Sequence, residues 1–246
     1  GRNIMESQTG SSVFPMTGDN NSDYKTLYQE LQTKQQFLLS QISHEIRNPV
    51  TLINSFLQLF ESHHPEIVKD DCWEKVMENM NFLKALLEEF SSFNNSAKLH
   101  LQEINLDHIF RETVESITPL CQDLGISVLY QKETAVPLIC ADPTKIRQVL
   151  LNLLTNAREA IGSQGLIRCS LSCDGENIYL CVKDTGTGIP ISYQKDIFEP
   201  FVTHKQGGTG LGLAICKRIV SAHNGHIFFR SAAGEETAFT VILPIT

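Results

Sequence analysis

Gly207-Gly208-Thr209-Gly210-Leu211-Gly212-Leu213 is the stretch on which the fold turns. Its glycines run directly into Leu211, Leu213 and Ile215, which begin a helical apolar period. A glycine-rich loop at a helix N-terminus offers backbone N–H groups and the positive end of the helix dipole to an anion such as phosphate. A plain connector has no need of glycines at that junction. The pattern G-x-x-x-x-G-K-[ST] is absent, which excludes a Walker-type phosphate loop. The glycines also follow a long loop rather than an early strand, which argues against a dinucleotide-binding βαβ unit.

Two upstream stretches belong with this loop. Asp184-Thr185-Gly186-Thr187-Gly188 closes a predicted strand, where glycine lets the backbone turn and lie close to a ligand. Its carboxylate can accept a hydrogen bond from an exocyclic amine. Asn152-Leu153-Leu154-Thr155-Asn156 lies on a predicted helix, with the two amides four residues apart and so on one face. Asparagine in a Leu-rich helix is costly without partners, and amide oxygens suit Mg²⁺ shared with phosphates. That helix starts at Asp142-Pro143, a capping acid followed by proline in the first turn, and runs to Ile161. A helix from Asn105 to Gly125 and a strand from Ile126 to Tyr130 precede it. Strands at Leu166 to Ser172 and Asn177 to Lys183 follow, then a helix from Gly210 to His223 and strands at His226 to Ser231 and Thr237 to Leu243. The mixture predicts a mixed sheet with helices on one face.

The first hundred residues read differently. Residues 1–22 are polar and without period, as in a leader or linker. From Ser22 to Phe60, Leu27, Leu31, Leu38, Ile42, Ile46, Ile53, Phe56 and Phe60 recur at helical spacing. Ser62-His63-His64-Pro65 makes a turn, and Trp73, Val76, Met80, Leu83, Leu87 and Phe90 form a heptad seam on a second helix. A hairpin of two helices cannot bury both stripes, so a homodimeric four-helix bundle is expected. His44 lies off the apolar stripe, facing solvent, with Asn48 about 40° and Glu45 about 100° round the helix. Pro49 removes a backbone donor and is expected to bend the helix just beyond the histidine. A neutral imidazole can attack phosphorus while a neighbouring carboxylate stabilises the cation that forms.

Composition narrows the classes. The chain has 246 residues, 41% hydrophobic and 20% charged, as in an ordinary soluble globular protein. A net charge of −8 argues against a nucleic-acid partner but not against a nucleotide. The 7 cysteines include no C-x-x-C pair and read as reduced thiols of a cytoplasmic protein. No apolar run is long enough to span a membrane, so any membrane anchor of the parent protein lies outside this stretch.

Phe37 to Pro49, with Ser43-His44-Glu45-Ile46-Arg47-Asn48-Pro49 at its centre, resembles the H-box of two-component sensor histidine kinases. The Asn152, Asp184, Phe198-to-Phe201 and Gly208 stretches resemble, in order, that family's N, G1, F and G2 boxes. The resemblance covers roughly residues 30 to 244. It implies an α+β chain: an antiparallel helical hairpin forming a dimeric four-helix bundle at 23–98, then a Bergerat-type α/β sandwich ATP-binding domain at 99–246. It implies that His44 accepts the phosphoryl group, with Glu45 as acid–base residue and Asn48 orienting water in dephosphorylation. Asp184 would bind the adenine amine, with Gly186 and Gly188 shaping its pocket. Asn156 would ligate Mg²⁺ with Asn152 beside it, and Gly208, Thr209, Gly210, Leu211 and Gly212 would meet the phosphates. Lys205, in the lid from about Ile189 to Gly208, either reaches the terminal phosphate or stays solvated. The implied activity is ATP-dependent autophosphorylation and transfer to an aspartate of a response-regulator receiver domain, with a phosphatase activity open beside it. Related ATPases of this fold carry a water-activating glutamate where this chain has Asn152, which favours His44 over water as acceptor. A Bergerat-fold ATPase, or a non-catalytic phosphotransfer and dimerisation module, is the alternative.

Overall fold

The computed structural model describes residues 20–205 and 207–245. The chain divides into two compact units, with the division between Ile42 and Ser43. In the first, the described residues form the opening part of helix α1 (Asn20–His63), where Leu27, Leu31, Leu38 and Ile42 are exposed. The expected leader at 1–22 lies outside the described residues except for its last three, which are already helical.

The second unit begins in the same helix, which runs through Pro49 to His63 without interruption. A 3-10 turn at Pro65–Lys69 leads to α2 (Asp71–Asn95), capped by Asp70, whose carboxylate accepts the Cys72 N–H at 2.8 Å. Between the helices, Val50, Met80 and Leu87 pack with Leu57 and Leu83 into a small cluster. Most of the predicted stripe stays uncovered: Ile46, Ile53 and Phe60 are exposed, and Phe56 is 68% exposed. The seam on α2 is buried at Trp73, Met80 and Leu87, while Val76 faces solvent.

Beyond Ser96 the chain builds a sheet with helices on one face. Five strands stand in the order β2-β4-β5-β7-β6: β2 (Ile126–Lys132), β4 (Gly165–Cys173), β5 (Asn177–Asp184), β7 (Thr237–Pro244) and β6 (His226–Arg230). β2 and β4 are parallel, and every other pair is antiparallel. A parallel pair needs a crossover, which helix α4 (Pro143–Ile161) supplies. Alternate residues of β4, β5 and β7, among them Ile167, Leu171, Ile178, Leu180, Val241 and Leu243, are buried in one core with α3 (Leu106–Gln122), α4 and α6 (Gly212–Ala222). The sequence reading missed β1 (Gln102–Ile104) and β3 (Ile139–Ala141), which pair antiparallel, and the short α5 (Ile191–Gln194). Three residues are too few to display an alternating period.

Buried polar groups fasten α4 to α6. Asp142 caps α4, accepting N–H groups of Thr144 and Lys145 at 3.0 Å on one oxygen and of His100 at 2.8 Å on the other. Burial alone would raise its pKa, but the backbone donors, His100 first, outweigh it and hold the carboxyl below its ordinary value. The Asp142 N–H itself donates to Nε2 of buried His223 at 3.0 Å. That nitrogen therefore carries no proton, and Nδ1–H donates to the Ile219 carbonyl at 2.8 Å. His223 thus ties the start of α4 to the end of α6. His223→Phe leaves a buried N–H unpaired, and the expected loss is about 1–3 kcal/mol in urea unfolding.

Candidate active site

Helix α4 organises the site. Asn152, Asn156 and Ala160 stand at four-residue intervals, so they share one face and rise in steps of about 6 Å. Each meets a different loop. Asn152 Nδ2 donates to the Gly212 carbonyl at 3.1 Å, at the start of α6. Asn156 Oδ1 accepts from Lys205 Nζ at 3.1 Å, from the segment between α5 and α6. The Ala160 carbonyl accepts the Thr187 N–H at 3.3 Å, in the turn after β5.

That turn requires its glycines. A Cβ on Gly186 would lie 2.7 Å from the Ala160 carbonyl carbon and 2.8 Å from its Cβ. Gly188 has φ +71°, and a Cβ there would stand 1.8 Å from the Ala232 oxygen. Asp184, at the end of β5, is 3% exposed, and its Oδ1 accepts the Gly186 N–H at 2.9 Å. Burial pushes its pKa up to about 6, and the Gly186 N–H and the Lys205 charge only partly offset this.

The glycine-rich loop ends in a helix start without a side-chain cap. Leu211 occupies the N-cap position, fully buried, with no polar group to offer the first-turn N–H groups. Gly212 is unlike the glycines above: a Cβ there would meet only Asn152, at an ordinary 3.9 Å. Packing does not require glycine at this position. The Gly210 carbonyl accepts the Phe201 N–H at 3.0 Å, fixing the loop to the Phe198-to-Phe201 segment. The Gly208 N–H donates to the Lys205 carbonyl at 3.3 Å. Thr209 turns toward α2, where its hydroxyl bonds the Glu89 carboxylate, while its Oγ1 accepts the Leu211 N–H at 3.3 Å.

His44, Glu45 and Asn48 are all exposed on α1 beside buried Ser43. Among the described residues, no hydrogen bond joins them to the α4–β5–α6 cluster. The structure links Asn152, Asn156, Lys205 and the turn after β5 through α4. Sequence reading missed Glu159, whose Oε2 takes Lys205 Nζ at 2.7 Å. Its position three residues after Asn156 put it on the same helical face, a signal that was available. Glu89 had no local signal at all. His204, without a role from sequence, stacks on Tyr193 with ring centroids 3.5 Å apart.

A cation fits Asn156, because an ammonium already rests on its oxygen. Among the described residues no cluster of His, Cys, Asp or Glu is set to hold a metal, and a Mg²⁺ that keeps phosphate and water ligands requires none.

The raised Asp184 pKa has a consequence for stability. The folded carboxyl keeps its proton up to about pH 6, whereas an unfolded one loses it near about pH 4. Folded stability therefore falls as pH rises through that window, and the full penalty stands above it. Asp184→Asn is expected to stabilise the protein at pH 7.5, by up to about 3 kcal/mol. Thermal unfolding should show that gain shrinking as pH falls from 6 to 4.

Known proteins resemble this chain in sequence and in fold. Residues 141–246 match the family described as "Histidine kinase-, DNA gyrase B-, and HSP90-like ATPase". Signal transduction histidine-protein kinase AtoS of Escherichia coli (strain K12) is 31% identical over 209 residues, covering 85% of this chain and 34% of AtoS. The chain spans about a third to a half of the length of the curated relatives it matches, from 34% to 48% among the first three. Full-length ShkA in complex with AMPPNP is similar with a TM-score of 0.73 and 27% identity, over 85% of this chain and 45% of ShkA. The catalytic domain of histidine kinase ThkA is 32% identical over 60% of this chain and 97% of that domain, with a TM-score of 0.56. ThkA in complex with response regulator protein TrrA gives a TM-score of 0.65 at 26% identity, over 96% of this chain and 68% of that one. With the ATPase fold over residues 141–246 and histidine kinases matched along most of its length, the chain belongs to the histidine kinase family.

Proposed function

We propose that the chain is the core of an ATP-dependent autokinase that phosphorylates His44 and passes the phosphoryl group to an aspartate of a response-regulator receiver domain. The observation that carries this reading is the face of α4, on which Asn152, Asn156 and Ala160 hold the start of α6, the lid lysine and the turn after β5 in a row. In this reading the adenine end of ATP lies at the Ala160 end. Asp184, with Oδ1 committed to Gly186 N–H, accepts from the exocyclic amine through its other oxygen, while Gly186 and Gly188 keep the pocket open. The phosphates lie about 12 Å along the helix, at the uncapped N–H groups of α6, approached across Gly212 with Gly208, Thr209 and Gly210 in the loop and Leu211 anchoring it. Asn156 is the residue that would hold Mg²⁺, which when bound neutralises charge on the phosphate oxygens.

Asn152 has no carboxylate and spends its amide on the Gly212 carbonyl, so it leaves water without a base. The nucleophile is His44: an imidazole nitrogen bonds to the terminal phosphorus as the bond to the bridging oxygen breaks and ADP departs. Glu45 stabilises the imidazolium that forms. Asn48, one turn on, orients water when a phosphorylated regulator is hydrolysed. The complex of the related ThkA with TrrA supports a receiver as partner. Exposed Ile46, Ile53, Phe56 and Phe60 support a homodimer through the hairpin. Seven unpaired cysteines suit a reducing compartment, and we assign the reaction to the cytoplasm.

Incubation with terminally labelled ATP is expected to give acid-labile, base-stable label on the protein, abolished by His44→Gln. Free phosphate without protein label would overturn the reading. Asp184→Asn should weaken nucleotide binding roughly 10-fold or more, as loss of a buried acceptor does. Phe56→Asp should shift sedimentation from dimer to monomer.

A further inference from the structure

We propose that Lys205 is an internal counter-cation of the nucleotide site: between Asn156 and Glu159 its ammonium holds the position a divalent cation takes, latching the lid until that cation displaces it. The inference rests on Asn156 being the metal ligand in the reading above. Lys205 Nζ lies 2.7 Å from Glu159 Oε2 and 3.1 Å from Asn156 Oδ1. Both acceptors project from one face of α4, so the lysine spans from the lid to the helix rather than trailing in water. Its backbone is fixed as well. The Lys205 N–H donates to Thr203 Oγ1 at 3.2 Å, and its carbonyl accepts the Gly208 N–H at 3.3 Å. The adjacent His204 ring stacks on Tyr193.

Two cations cannot share the Asn156 oxygen at bonding distance, so a metal ion there expels the ammonium. The pair is suited to exchange. Lys205 and Glu159 side chains are 47% and 44% exposed, and ion pairs that open to water hold weakly enough for a divalent ion to replace one partner. Among the described residues, Glu159 has no second hydrogen bond or ion pair to the lid besides that with Lys205. The released lysine is then free to follow the nucleotide. One side chain thereby links lid release to metal arrival.

The test uses the full chain and the variants Lys205→Met and Glu159→Gln, both at solvent-facing positions. Hydrogen exchange of the Val202–Lys205 and Gly207–Leu211 amides is followed in nucleotide-free protein. Mg²⁺ is then titrated against a fluorescent ADP analogue, which has no terminal phosphate for the lysine to meet. Both variants should speed lid exchange by about 3- to 10-fold, with no further effect in the double variant, if the pair acts as one unit. Lys205→Met should also lower the Mg²⁺ concentration for half-saturation several-fold. Unchanged lid exchange and unchanged Mg²⁺ dependence in Lys205→Met would overturn the latch and leave a solvated lysine. A rise in half-saturating Mg²⁺ in Glu159→Gln with unaltered lid exchange would overturn it in favour of Glu159 as a metal ligand. Failure of the unmodified chain to bind any nucleotide would instead refute the nucleotide-site reading, and lid exchange would still decide whether the pair holds the lid.

Discussion

The interaction on which the site depends is the contact of one face of α4 with three loops that start far apart in sequence. An α-helix is a rigid spacer with a fixed rise, and residues four apart lie one above another. Asn152, Asn156 and Ala160 convert that regularity into distances between the start of α6, the lid lysine and the turn after β5. A small residue is needed where the backbone of the turn presses on the helix, at Ala160 against Gly186. Amides are needed where the neighbours offer a carbonyl on one side and a cation on the other. The helix is held in turn by Asp142 at its N-terminus and by His223 through the Asp142 N–H.

Burial sets different values on two aspartates within this framework. Asp142 is buried but receives three backbone N–H groups, so its charged form is favoured. Asp184 is as little exposed but lies deeper among protein atoms and receives one, so its charged form is disfavoured and its pKa rises to about 6. The first is a structural cap whose hydrogen bonds are complete within the chain. The second carries a desolvation cost that a ligand with a matching donor would relieve. That asymmetry separates the two acids on physical grounds, where sequence shows only two aspartates at element ends.

The helical hairpin makes a comparable distinction between what one chain completes and what it leaves open. Val50, Met80 and Leu87 close part of the seam, but Ile46, Ile53, Phe56 and Phe60 stay exposed. Two helices have too little mutual surface to cover two apolar stripes, so the remaining surface calls for further helices. His44 escapes that demand because it lies off the stripe.

Sequence by itself determined the long elements, because their periods extend over many residues. Helices α1, α2, α4 and α6 and strands β4, β5, β6 and β7 fall within a few residues of their expected ends. The Asp142-Pro143 start and the exposure of His44 were legible for the same reason: each is a local pattern or lies on a helix of known pitch. The grouping of Asp184 with Asn152, Asn156 and the glycine loop came instead from the family resemblance, because those stretches lie far apart in sequence. Strands β1 and β3 were not, since each is shorter than one readable period and exists only because the other pairs with it. Only the tertiary structure decided what Lys205 touches, that Thr209 bonds Glu89, and which nitrogen of His223 carries the proton. Those depend on side chains meeting across 46 residues or more, and no local pattern encodes a distance through space.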